Sequence, residues 1–210
     1  GDPTMIAFFE GGRPQFDGLD TRVHALFDFP LFYPIRNAFA KGGPLREVAQ
    51  MLARDRLYRD PSSLVTLLGL HDVGRFMGEP GATVDGLKLA YTFLLTARGT
   101  PLVYYGDEIA MPGGNDPDNR RDFPGGFPGD ARNAFTAAGR TAVWAHVQRL
   151  LRLRAERSEL RRGDTENLHV GEQTWAYRRG RTTVVLNNGT APAEVRLPAA
   201  TLPADALGAC

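Results

Sequence analysis

The sequence predicts an α/β fold followed by a short all-β tail. Two continuous apolar runs of strand length, Leu64–Leu70 and Leu102–Tyr105, flank an apolar-rich helical stretch. Runs without polar alternation mark strands covered on both faces, as in a parallel sheet. A long polar loop follows each run, which is the alternation of strand–helix–strand units. From Asn167 onward the pattern changes to short β runs separated by Gly and Asn turns. That shift predicts an α/β portion over residues 1–164 and a second, smaller domain over 165–210.

Each element follows from local chemistry. The stretch to Asp20 is turn-rich, with Gly11-Gly12, Arg13-Pro14 and Asp17-Gly18. Val23–Pro30 is a short apolar run closed by Pro and reads as a buried strand. Leu31–Ala40 and Pro44–Leu57 read as helices, split by Gly42-Gly43, with Pro44 suited to the first turn of the second. Asp60–Ser63 is a turn. Asp85–Ala97 is a helix with Leu87, Ala90, Tyr91 and Leu94 at helical spacing, and Gly99–Pro101 ends it. Pro112–Asp130 is a loop dense in Gly, Pro and Asp, and loops of that length usually carry function.

Thr136–Leu160 reads as one long helix, with Val143, Val147, Leu150, Leu151 and Leu160 as its buried stripe. Its Arg149, Arg152, Arg154 and Arg157, with Arg161 and Arg162 beyond, are interleaved with Glu156 and Glu159. They read as a solvated outer face rather than a nucleic-acid stripe. His24 and His146 have no partners at ligand spacing and read as structural. Phe32, Tyr33 and Phe39 read as core. Leu168–Val170, Thr174–Arg178, Thr182–Leu186 and Ala193–Leu197 are β runs, with hairpins marked by Gly180-Arg181 and Asn188-Gly189.

Composition excludes several classes. Of 210 residues, 42% are hydrophobic and 23% charged, a globular balance. Lys plus Arg number 25 against 24 Asp plus Glu, so no electrostatic footprint for nucleic acid is present. The single cysteine, Cys210, excludes an intrachain disulfide and any Cys-built zinc or iron–sulfur site. No apolar run reaches the roughly 18 residues of a membrane span. The opening GDPTMIAFFE lacks the basic-then-apolar pattern of a signal peptide. Lys41 and Lys88 are the only lysines, which reads as codon bias.

Three motifs concentrate chemistry. LLGLHDVGRF, residues 67–76, delivers His71, Asp72 and Arg75 at the carboxyl end of a strand, where parallel α/β folds bind ligands. The His-Asp dipeptide also reads as an ordinary strand-end pair, with Asp72 capping the next turn. GTPLVYYGDEI, residues 99–109, puts Asp107 and Glu108 just past the next strand. Neighbours in an extended segment point to opposite faces, so this pair reads as a structural turn with one buried carboxylate. GGNDPDNRRDFPGG, residues 113–126, sets Asp116, Asp118 and Asp122 among Arg120 and Arg121. Arginine bridges polar hydroxyls, and Phe123 and Phe127 offer faces on which a sugar ring stacks. The carboxylate spacing lacks the closing Glu of an EF-hand, so no metal is expected there. No Gly-rich loop supports a phosphate-binding module.

Taken in order, these motifs resemble the α-amylase superfamily of glycoside hydrolases. HD at a strand end is similar to the family's fourth conserved region, and GTPLVYYGDEI to the motif on its last barrel strand. NDPDNRRDFPGG is similar to the loop that follows in cyclomaltodextrinase- and neopullulanase-like members. FDGLDTRVHALFDFPLFYPIRNAF, residues 16–39, resembles the segment just after the family's catalytic glutamate. The β region after residue 165 resembles its small C-terminal sandwich.

The resemblance implies a (β/α)8 barrel, with this chain supplying strands six to eight and part of the sandwich. It also implies retaining chemistry on an α-glucan oligosaccharide or polysaccharide, without a cofactor; a structural Ca²⁺ is not supported by this segment. By motif match, Asp72 is the transition-state stabiliser and His71 hydrogen-bonds hydroxyls of the same sugar. Asp116 and Arg120 match a DPxxR pattern whose Asp and Arg contact the next sugars on the non-reducing side. Asp107 and Glu108 match a structural motif. The family's nucleophilic Asp and acid/base Glu have no counterpart here and are expected upstream of Gly1, so the segment alone is expected to be inactive. Hydrolysis, transglycosylation, trehalose-forming isomerisation and a non-catalytic barrel subunit all remain compatible with these motifs.

Overall fold

The computed structural model describes residues 24–131, 133–135 and 138–198. The turn-rich opening, Val23 and Cys210 lie outside the described residues. In chain order the elements are α1 (Phe29–Lys41), α2 (Leu45–Leu52), β1 (Val65–Leu67), α3 (Val84–Thr96), β2 (Thr100–Leu102), α4 (Ala138–Glu156), α5 (Ser158–Arg162), β3 (Thr165–Val170), β4 (Thr174–Arg179) and β5 (Thr182–Asn187). The strands β1 and β2 are parallel, with Val65 opposite Thr100 and Leu67 opposite Leu102. Phe27 adds a parallel bridge to Val65. Parallel segments separated by helices end on one side of the molecule, and that side carries the motif loops.

The predicted strand Val23–Pro30 is therefore reduced to the bridge at Phe27. Asp28 ends it by capping α1: its Oδ1 accepts the Leu31 N–H at 3.2 Å. Pro30 sits in the first turn, where its missing N–H costs nothing. The other carboxylate oxygen of Asp28 accepts from Arg98, which also grips Asp55 at 2.8 and 2.6 Å. Pro44 is the N-cap of α2 rather than its first residue, and α2 stops at Leu52, with a separate 3-10 turn at Asp55–Leu57. β1 is shorter than its apolar run, and β2 starts at Thr100, where the Thr100 N–H donates to the Leu64 carbonyl at 2.8 Å.

The core fills the space behind these strands. Leu31, Ile35, Leu45, Val48, Leu87, Phe93, Leu94, Val143, Val147 and Leu150 form one buried cluster. Trp175, Tyr177 and Leu186 of the antiparallel sheet β3–β4–β5 belong to the same cluster. Trp175 lies 5.4 Å from Phe93 and 4.6 Å from Tyr177, ring centre to ring centre. Burial of each such side chain is worth about 1.5–3 kcal/mol, so the tail's sheet is welded to the helices by its inner face. Gly180 takes φ +54° in the β4–β5 hairpin. Ala193–Leu197 forms no strand, so Asn188-Gly189 turns no hairpin. Instead the Asn188 amide donates to the Ala38 carbonyl at 2.8 Å and ties the turn to α1.

The long helix is broken at Arg157, and the break has a cause. Arg154 is 7% exposed, not on the solvated face where spacing put it. Its guanidinium donates to the carbonyls of Leu95, Ala97 and Leu160 at 3.0, 2.9 and 2.8 Å and of Gly99 at 2.6 Å. In a continuous helix the Leu160 carbonyl would point along the axis away from Arg154. Breaking the helix turns it back. Leu151, within the unbroken part of the helix, is 45% exposed, outside the predicted stripe. Arg154→Met keeps the apolar stem and removes every donor, leaving those carbonyls unpaired. The expected loss is about 3 kcal/mol, a fall of about 6–12 °C in Tm. Thermal unfolding followed by circular dichroism measures it, and an unchanged Tm would contradict the assignment.

Candidate active site

The chain leaving β1 stays buried through Leu68 and Leu70, then surfaces at His71 and Asp72. Their side chains are 59% and 46% exposed, with His71 Nε2 at 3.3 Å from Asp72 Oδ1. The loop after β2 returns to the same place through a 3-10 turn, Asp118–Arg120. Arg120 Nε lies 2.7 Å from Asp116 Oδ1, and Arg120 Nη2 lies 3.5 Å from Asp72 Oδ1. His71, Asp72, Arg120 and Asp116 thus form one continuous chain of polar contacts facing solvent. Exposed pairs of this kind are each worth under about 1 kcal/mol, so they can be traded for contacts with a ligand at small cost.

Beneath this chain lies a buried layer that fixes it. Arg36 of α1 donates to the Leu68 and Gly74 carbonyls at 2.8 and 2.9 Å. It also donates to the Arg75 carbonyl at 2.9 Å and to Glu79 at 2.8 Å. Arg75, fully buried, donates to the Tyr105 carbonyl at 2.6 Å and to Asp107 Oδ1 at 3.0 Å. Its guanidinium lies 4.5 and 4.6 Å from the rings of Tyr104 and Tyr105. Asn119, also fully buried, donates to the His71 and Val73 carbonyls at 2.9 and 2.8 Å. The Arg75 N–H donates to the Gly113 carbonyl at 3.0 Å. The two loops approach so closely that a Cβ on Gly78 would fall 2.1 Å from the Gly113 oxygen.

Sequence spacing located Arg75 without a role and missed Arg36 and Asn119. Their acceptors are main-chain carbonyls of a loop, and no residue pattern marks those in advance. The Asp107 and Glu108 pair forms the turn with one buried carboxylate that the sequence predicts. Asp107–Ile109 is a 3-10 turn rather than an extended segment. Asp107 is buried beneath the strand ends with Arg75, and Glu108 is half-buried. Burial pushes the Asp107 carboxyl up to about 7, against the pull of Arg75. On the rim, Asp118 is held low by the Gly114 N–H and by Arg121. Phe127 is 62% exposed and meets Phe123 edge-on at 5.9 Å. Among the described residues no three His, Cys, Asp or Glu side chains are grouped as a metal-ligand set. His146, half-buried on α4, contacts Thr92 Oγ1 and the Lys88 carbonyl and lies away from the site.

A cavity of about 360 Å³ opens elsewhere, lined by Asp60, Ser62, Arg98, Arg162, Asp164 and Arg179 among others. Ser62 and Arg98 precede β1 and β2, so it lies at the opposite ends of the strands from His71 and Asp72.

The model of the α-amylase catalytic domain matches residues 45–149, half of the chain. The chain belongs to the α-amylase family. It is 38% identical over 128 residues to a β/α-amylase of Paenibacillus polymyxa, a match covering 57% of this chain and 11% of the relative. It is 31% identical over 186 residues to a cyclomaltodextrinase of Geobacillus thermopakistaniensis, covering 82% of this chain and 30% of the relative. The crystal structure of the α-amylase of Geobacillus thermoleovorans with acarbose superimposes with a TM-score of 0.78 at 27% identity, covering 92% of this chain and 44% of that one. The chain therefore spans between about a tenth and a third of the length of these curated relatives. In this chain the motif loops described above come together at the carboxyl ends of the parallel strands, where α/β folds place their sites.

The buried pair beneath the α-amylase motif gives a pH test. Because the folded pKa of Asp107 is raised, its contribution to stability is fully present below the ordinary carboxylate pKa of 3.8 and is lost as pH rises toward about 7. Asp107→Asn removes that titration. Its amide oxygen still accepts from Arg75 but carries no charge that titrates. The Tm of the native chain minus that of the variant should fall steadily from pH 4 to pH 7, as read by thermal scans across buffers. A difference that stays flat or grows would show that Asp107 is not held above its ordinary range.

Proposed function

We propose that this chain forms the Asp72 side of the substrate site of a retaining α-glucan hydrolase that cleaves α-1,4-glucosidic bonds of starch-derived oligosaccharides. The Phe27 segment, β1 and β2 are taken as strands six, seven and eight of a (β/α)8 barrel, and β3–β5 as part of the following sandwich. The observation that carries the reading is the single chain of polar contacts linking His71, Asp72, Arg120 and Asp116 at the carboxyl ends of β1 and β2. Acarbose in the solved relative and the cyclomaltodextrinase relative support an α-glucan as ligand.

In this reading Asp72 accepts hydrogen bonds from the sugar at the cleavage point. Its charge is worth most when the ring flattens and positive charge develops at the anomeric carbon. His71 bonds hydroxyls of the same sugar. Asp116 and Arg120 hold hydroxyls of the next sugars on the non-reducing side, and exposed Phe127 offers an apolar face. Retaining chemistry needs a nucleophile and an acid/base with carboxyl groups about 5 Å apart. These two groups are assigned outside the described residues, so the reaction belongs to the larger enzyme that carries this chain. A structural calcium ion is not required by this scheme.

In that larger enzyme, Asp72→Asn should lower kcat about a hundredfold or more with little change in KM, as expected for a group that acts mainly in the transition state. Steady-state assay on an aryl α-maltoside reads it, with this chain alone as an inactive control. Near-native turnover in the variant, or Asp72-dependent turnover by the chain alone, would overturn the reading.

The loop carries its own test. Asp116→Ala and Arg120→Ala should depress kcat/KM on maltotriose more than on long dextrins, because short substrates depend on few subsites. Equal losses on both, or none, would give the loop another task.

A further inference from the structure

Asp72 is an exposed side chain on an irregular loop, yet a transition-state contact has to be held to a fraction of an ångström. The structure assigns that task to Asn119. We propose that Asn119 is a positioning residue for Asp72, and that its carboxamide locks the DPxxR loop and the His71-Asp72 loop into one unit.

Asn119 is fully buried, and its Nδ2 donates to the His71 carbonyl at 2.9 Å and to the Val73 carbonyl at 2.8 Å. Those carbonyls stand on either side of Asp72. Fixing both peptide planes fixes the direction in which the Asp72 side chain leaves the backbone. The amide orientation follows from its partners: two carbonyl acceptors demand the NH₂ group, because a flipped amide would set oxygen against oxygen. Asn119 also sits beside Arg120 in one 3-10 turn. From that turn the Asn119 side chain faces inward to the backbone around Asp72, while Arg120 faces outward, with contacts to Asp72 at 3.5 Å and Asp116 at 2.7 Å. The turn therefore registers two things together: where the sugar-binding Arg120 stands, and where Asp72 points. Asp118 steadies the same turn by accepting the Gly114 N–H at 2.6 Å.

This inference rests on the reading of Asp72 given above, and a double-mutant cycle separates the two. Four proteins are compared in the enzyme that carries this chain: native, Asp72→Asn, Asn119→Ala and the double variant. All are assayed for kcat and KM on an aryl α-maltoside, with thermal scans confirming folding. Asn119→Ala should lower kcat about tenfold to a hundredfold, the scale of a contact displaced by about 1 Å, with a smaller effect on KM. In the Asp72→Asn background the same substitution should cost less than about twofold, because the group it positions has already lost its charge.

Isosteric Asn119→Asp adds a pH signature. A carboxylate cannot donate and repels both carbonyls, whereas the protonated acid donates once. Its kcat relative to native should therefore rise as pH falls. Should Asn119→Ala not fold, Asn119→Ser keeps one donor and enters the same cycle. If Asp72→Asn itself keeps native kcat, the reading of Asp72 fails. If Asp72→Asn is crippled but the Asn119 substitution costs the same factor in both backgrounds, or costs nothing in either, the positioning role fails and Asn119 serves the fold alone.

Discussion

The guanidinium of Arg36 closes a problem that the strand order creates. β1 is short, and the chain beyond it must remain buried while leaving the sheet. Its carbonyls then face neither a neighbouring strand nor water, and an unpaired buried carbonyl costs about 1–3 kcal/mol. Arg36 reaches across from α1 and supplies donors to Leu68, Gly74 and Arg75 at once, while Glu79 balances its charge. Its stem and head rest on the rings of Phe32 and Phe76. Because Arg36 anchors both ends of the loop that displays His71 and Asp72, the exposed loop takes its geometry from a buried side chain of α1. Arg75 continues the same solution one layer on, between the Tyr104 and Tyr105 rings and Asp107.

Arginine serves as a main-chain clamp elsewhere too. Arg154 gathers carbonyls from the end of α3, the turn into β2 and α5. Arg179 at the end of β4 does the same for the Glu159 and Leu160 carbonyls of α5. The planar fork presents several donors in fixed directions, which a lysine ammonium on a flexible stem does not. Desolvation lowers the pKa of Arg154 to about 10, still well above neutrality, so the clamp keeps its charge at physiological pH. The scarcity of lysine in the sequence reads as codon bias by count alone. At these buried positions the choice of arginine has a physical consequence that lysine would not reproduce.

Much of the fold was legible because it rests on local periodicity. The helical spacing of Leu87, Ala90, Tyr91 and Leu94 gives α3 to within a residue at each end, and the first apolar run contains β1, whereas β2 ends at Leu102, where the second run begins. The candidate site residues rest on a different signal: His71, Asp72, Asp116 and Arg120 lie in motifs whose order resembles one family, and the fold brings them within contact of one another. What escaped the sequence were long-range backbone acceptors. Arg154 looked like one more cation on a solvated face until the Leu95, Ala97 and Gly99 carbonyls appeared beside it. Asn119 looked like one polar residue in a charged loop. Ala193–Leu197 alternates like a strand, but no described neighbour pairs with it, and alternation without a partner does not make a sheet.

These features divide the α-amylase motif region into two layers with different energetics. The outer one, His71 to Asp116, consists of polar contacts and two ion pairs roughly half exposed to water. Water already solvates those groups, so replacing one ion pair by sugar hydroxyls changes little in the balance of folding. The inner layer, Arg36, Arg75, Asp107 and Asn119, is buried and contributes to folding, so substitutions there cost stability before they report on chemistry. Asn119 links the two: its amide is buried, while the backbone it holds carries Asp72 outward. A buried amide coupled through one turn to the backbone beneath a solvent-facing carboxylate holds that exposed loop residue in one direction, which surface ion pairs alone do not do.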